Sequence, residues 1–209
     1  KKLTATNVSE PHLWYLGGLD ITDCEGGWNI VPALSVAITK KLLKEKDWKY
    51  VPPVTGTELK IPAQSILNRA DVACSGINSV KPSSESGLTV TDKLKRVLAA
   101  NSTVIVGVTV YGVKDPDSDE CVLPQWRWPE DSSPVDLPTE QESICGGHAI
   151  MLVGYDDNDS GGVFIFRNSW GNYWQDDGYG RITYRYMNEY FHEGAYLSNC
   201  AVGCVPETE

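Results

Sequence analysis

Between Thr103 and Met187 the chain repeats one pattern four times: a run of β-branched and aromatic residues bounded by Gly, Asp or Asn. The runs are TVIVGVTVYG from Thr103 to Gly112, HAIMLVGYD from His148 to Asp156, VFIFRNSWG from Val163 to Gly171, and GRITYRYM from Gly180 to Met187. Residues branched at Cβ fit a pleated, half-buried surface, and four such runs in succession require one another as pairing partners. An antiparallel sheet or barrel is expected over this half of the chain.

The first hundred residues follow another period. From Val31 to Leu43 the sequence VPALSVAITKKLL is apolar until Lys40 and Lys41, and Pro32 suits a first helical turn, so a buried helix with a solvated far end is expected. Lys44 to Gly87 is rich in Pro, Ser, Thr and charge, with short apolar pieces at Ser65 to Leu67 and Val72 to Cys74; it reads as loops with one or two helical turns. Thr91 is placed to cap a second helix, DKLKRVLAA, whose Leu94, Val97 and Leu98 share a face and which Asn101 ends. Lys114 to Ser143, with five Pro and many acidic residues, is an insertion between the first two strands, and its Trp126 and Trp128 need burial or a partner. The expected class is α+β: one domain over residues 1–209, with a helical N-terminal lobe over about residues 1–100 and a β-rich C-terminal lobe over about residues 101–209.

A net charge of -10 leaves no clustered cations to displace counterions from nucleic acid or from an anionic membrane, and both are excluded as main partners. No apolar run is long enough to span a bilayer, and Lys1 to Glu10 hold no signal-peptide core. Cys24, Cys74, Cys121, Cys145, Cys200 and Cys204 form an even set without a CxxC pair or enough nearby His for zinc, which makes disulfides the first expectation and buried free thiols the alternative. Sequons at Asn7, Asn101 and Asn158 suit a secreted glycoprotein. No cofactor motif is present, and the acidic clusters lack EF-hand spacing, so neither cofactor nor metal is expected.

His148 opens a strand after two glycines, and Asn168 sits where the next strand runs into Ser169, Trp170 and Gly171. Adjacent antiparallel strands bring such side chains together; the His then serves as a general base and the amide oxygen accepts its Nδ1–H and fixes the tautomer. Trp170 is placed to shield that bond, whereas His12 and His192 read as structural or solvated. On spacing alone a satisfied structural His is the better reading. The wording of the segments, GGHAIMLVGYDD and then FIFRNSWGNYWQDDGYGRITY, resembles the C-terminal lobe of papain-like cysteine peptidases, especially versions common in bacteria. The resemblance implies a two-lobed fold with a central helix and a substrate cleft, His148 as base, and Asn168 as its orienting partner.

The family carries its nucleophile at the start of the central helix in patterns such as QGxCGSCWAF or DQGxxGTCVAFA. Aligning Ala33, Leu34 and Ser35 on the small residues after the nucleophile puts Asn29 at the Cys position and Asp23 at the Gln that lines the oxyanion hole. A register shift of two residues brings Gly27 or Val31 there, again not Cys. An amide has no accessible thiolate-like form, and a carboxylate opposes a developing oxyanion. Cys24 is the rival nucleophile, but the resemblance implies that it pairs with Cys74 in a disulfide; Cys121 with Cys145 and Cys200 with Cys204 are the further expected pairs. Three functions follow as expectations. The first is a catalytically degenerate domain that binds a protein or peptide, or assembles with other domains of a larger protein. The second is an active cysteine peptidase or transamidase using Cys24, and the third is non-thiol chemistry with His148 and Asp23 as an acid–base pair. An extracellular location fits the disulfides and sequons.

Overall fold

In the computed structural model the described residues are 13, 15–18, 29–44, 46–49, 61–82, 87–118, 120–127, 133–199 and 201–202. They fall into two compact units. Residues 1–77 and 197–209 make the first, and residues 78–196 the second.

The first unit contains the helix Ile30–Thr39, the short helix Gln64–Leu67, and a two-stranded ladder of β1 (Val72–Ala73) with β9 (Ala201–Val202). The first helix stops at Lys40, four residues earlier than its apolar run suggests. Ser35 and Thr39 turn their hydroxyls back onto the carbonyls of Val31 and Ser35, which does nothing to favour further turns. Leu42 then leaves the helix to bond the Val72 carbonyl at 2.8 Å and joins Ala37 and Val72 in a small core, while Leu43 is fully buried. Tertiary burial of two leucines outweighs helix propensity here. The helical turn expected at Ser65–Leu67 is present, but Val72 and its neighbours form strand.

β2 (Gly76–Val80) and β8 (Phe191–Ser198) carry the chain across the division between the units. The second unit is built on an antiparallel sheet in the order β2, β8, β3 (Val104–Lys114), β5 (Ser143–Asp156), β6 (Val163–Arg167), β7 (Tyr179–Thr183), with β4 (Cys121–Val122) on an extension of β3. Alternate residues Val104, Val106, Val108 and Val110 of β3 face the core, joined by Ile150, Leu152, Phe164, Phe166 and Ile182. This is the alternation that a sheet with one buried face demands.

Three local expectations are corrected. The helix Val90–Ala99 is capped by Thr89, not Thr91: Thr89 and Asp92 exchange hydrogen bonds in a capping box, and Thr91 instead donates its hydroxyl to Asn188 at 3.0 Å. Its Val90, Leu94 and Leu98 pack into the core of the sheet, and Asn101 ends it at φ 59°. The run Gly180–Met187 is strand only to Thr183; there the Thr183 hydroxyl accepts the Tyr186 N–H at 3.2 Å and starts the helix Tyr184–Tyr190. β8, which follows, lies outside the four runs expected as strands. It holds His192, whose Nε2 lies 2.6 Å from the Thr109 hydroxyl.

The described part of the acidic insertion holds the short helix Pro124–Arg127, in which Trp126 is 1% exposed. Val135 bridges to Ile182, Asp136 takes the Arg185 guanidinium and the Thr183 hydroxyl, and the Cys121–Cys145 disulfide ties the insertion to β5. Trp128 lies outside the described residues.

Candidate active site

His148 stands on β5 opposite Val108 of β3. The β5–β6 ladder ends at the pair Met151–Arg167. Asn168 and Trp170 follow directly, past the last paired residue. His148 stacks on Trp170 with centroids 5.1 Å apart and planes at 26°, and its Nε2 lies 2.9 Å from Asn168 Oδ1. The expected partnership is present, but through the other nitrogen. An amide oxygen only accepts, so Nε2 carries the proton of this bond and, in the neutral ring, Nδ1 keeps the lone pair.

Asn168 is 4% exposed. Its backbone N–H donates to the Gly178 carbonyl at 2.9 Å, and Oδ1 also accepts the Ser169 N–H at 2.8 Å. Its Nδ2 has no hydrogen-bond partner among the described residues. The amide is therefore oriented by its oxygen, the atom that holds the imidazole.

Aromatic rings close the site. Trp126 meets the imidazole edge-on at 5.7 Å and 83°, and the Trp174 indole N–H donates to the Trp126 carbonyl at 2.8 Å, a buried bond. Trp174 packs at right angles to Trp170. Burial among these rings pushes the His148 pKa below its ordinary value, and the Asn168 bond partly opposes that shift. The ring is oriented and partly buried, and the lowered pKa favours its neutral form. The edge contact from Trp126 was not foreseen. The sequence signal was a tryptophan in a Pro-rich acidic insertion, which demanded burial without saying where.

Asn29 is the N-cap residue of the helix Ile30–Thr39 in the first unit. It is exposed, its carbonyl accepts the Ala33 N–H at 3.1 Å, and its side chain makes no capping bond although Asn is a favoured cap. Asp23 and Cys24 lie outside the described residues, as do His12, Cys200 and Cys204. Cys121 and Cys145 are joined as expected, with Cα atoms 5.9 Å apart, and Cys74 is also disulfide-bonded.

A model described as "Papain family cysteine protease" matches residues 4–198. The chain belongs to that family. Among relatives, it is 28% identical to Cysteine proteinase 3 of Entamoeba histolytica over 156 residues, which is 75% of this chain and 42% of that protein. It is 42% identical to an uncharacterized peptidase C1-like protein of Acanthamoeba polyphaga mimivirus over 53 residues, 25% of this chain and 16% of the relative. Those matches span less than half of each relative's length.

Solved structures agree on the fold. Xylellain, a cysteine protease from Xylella fastidiosa, superposes with a TM-score of 0.68 at 25% identity, over 91% of this chain and 69% of that one. The bromelain protease from Ananas comosus, solved with the inhibitor E64, gives 0.56 at 18% identity, over 94% of this chain and 80% of that one. The fold is papain-like, with helices and a large antiparallel sheet.

Proposed function

We propose that this chain is a catalytically degenerate member of the papain family, in which Asn29 stands where the family holds its nucleophilic cysteine. His148 and Asn168 retain the places of base and orienting partner, and Asp23 replaces the oxyanion-hole Gln. The observation that carries the proposal is the contrast between the two sets of residues. His148 and Asn168 are bonded and boxed in by Trp126 and Trp170. Asn29 sits exposed at a helix N-terminus, supplying an amide that neither caps the helix nor ionises. A base without a nucleophile does not cleave peptides, so the reading assigns the retained site to binding a protein or peptide or to assembly with other domains of a larger protein.

An active peptidase through Cys24 is the competing reading. The bonded state of Cys74 supports the disulfide that the resemblance draws between Cys24 and Cys74, and a bonded Cys24 has no thiolate. The Cys121–Cys145 disulfide also supports an extracellular location.

Restoring a thiol tests the proposal. In the arrangement that the family resemblance implies, a thiol in Asn29→Cys meets a positive helix end and the family's base, both of which favour a thiolate. Residue 29 should then alkylate with iodoacetamide near neutral pH faster than any native cysteine, and His148→Ala should remove much of the gain. Peptide cleavage by the single variant stays low, since a missing oxyanion donor costs about a hundredfold or more; Asn29→Cys with Asp23→Gln raises it. A residue 29 thiol as slow as a surface thiol, with or without His148, refutes the assignment.

A further inference from the structure

We infer that Arg167 is a positioning residue for the His148–Asn168 pair, because its guanidinium pins the turn that anchors the Asn168 backbone. The inference rests on reading those two residues as base and orienting partner.

Asn168 lies just past the last β5–β6 pair, so the sheet does not fix it from the β5 side. It is tied from the opposite side, by the bond from its N–H to the Gly178 carbonyl. Gly178 closes a segment in which four residues have left-handed backbones: Gly171 at φ 90°, Gln175 at 41°, Asp177 at 53° and Gly178 at 83°. For Gln175 and Asp177 that conformation is disfavoured, and it persists only where the surroundings enforce it. Two backbone contacts help: Gly178 donates to the Trp174 carbonyl at 2.7 Å, and Asp176 bridges to Tyr179.

Arg167 supplies the enforcement from a side chain. Its Nη1 donates to the Asp177 carbonyl, and the guanidinium lies 4.8 Å from the centre of the ring of Tyr179, its cross-strand partner. A Cβ on Gly178 would fall 2.6 Å from Arg167 Nη1 and 2.7 Å from the Gly171 carbonyl oxygen, so the guanidinium rests directly on the Gly178 backbone. One cation thus lies over the Tyr179 ring, bonds the carbonyl of the peptide before Gly178, and covers Gly178 itself. A lysine donates from a single point and cannot stack as a plane. Any drift of the Gly178 carbonyl passes to the Asn168 N–H, then to Oδ1, then to the imidazole.

The test follows the His148 ring nitrogens by long-range proton–nitrogen NMR in the full chain. In the natural protein one tautomer, protonated at Nε2, is expected with a slowly exchanging proton. Arg167→Gln should speed that exchange about tenfold, the scale of losing one net hydrogen bond, and should populate the second tautomer. Arg167→Lys, which keeps a donor, should fall between. A merely structural role lowers Tm without moving the tautomer. Asn168→Ala is the reference and must abolish the protected proton; if it does not, the pair itself is misread, whatever Arg167 does. If Arg167→Gln does not fold, Tyr179→Leu and Arg167→Lys carry the same comparison. Natural exchange and tautomer in the Arg167 variants, with both lost in Asn168→Ala, overturn the inference.

Discussion

Trp126→Ala removes the ring that packs against His148, Phe166 and Tyr186, so one substitution probes both the core and the imidazole environment. The side chain is 1% exposed, and truncating a buried aromatic in a close-packed core costs about 3–5 kcal/mol. At a few degrees per kcal/mol, Tm should fall by roughly 10–20 °C. The second effect is electrostatic. Burial holds the His148 pKa below its ordinary value, so between the folded value and the unfolded value of about 6.5 the unfolded state binds more protons. Stability therefore rises with pH across that window; the loss begins as pH falls below the unfolded pKa and stops growing below the folded one. Opening a cavity beside the ring admits water, raises the folded pKa and narrows the window. Urea unfolding from pH 7.5 to pH 5, with NMR titration of His148, measures both effects. A variant with natural Tm, or with the His148 pKa unmoved, refutes the argument that Trp126 buries the His148 ring.

Other outcomes follow from the same packing. Gly180→Ala forces a methyl to about 2.6–2.7 Å from the Trp174 and Phe166 rings, so overpacking should destabilise by about 1–3 kcal/mol in denaturant unfolding. Replacing both Cys121 and Cys145 by Ser opens a loop of 24 residues and should cost about 3 kcal/mol, with the insertion more easily cut by protease. His148→Gln should flatten the pH dependence of stability between pH 7.5 and pH 5, since the neutral amide does not titrate there.

The sheet was legible because its strands repeat one composition, and burial of alternate valines in β3 is what that composition requires. His148 and Asn168 were legible because their flanking residues are distinctive, and the distinctive Trp170 turns out to stack on the ring. What the sequence hid were choices made by tertiary contact. Leu42 and Leu43 leave a helix to fill a core, Thr183 converts a strand into a helix, and Asn168 meets the distal rather than the proximal ring nitrogen of His148. Arg167 was equally hidden, since its role depends on a turn ten residues further on.

The central claim is that the natural chain carries no nucleophilic thiol at the retained His148–Asn168 site. Incubating it with an epoxysuccinyl peptide, which alkylates the activated thiol of cysteine peptidases, and reading the intact mass tests this directly. The account predicts an unchanged mass under conditions in which Asn29→Cys gains an adduct. A stoichiometric adduct on the natural chain, mapped to Cys24 and lost in His148→Ala, would contradict it.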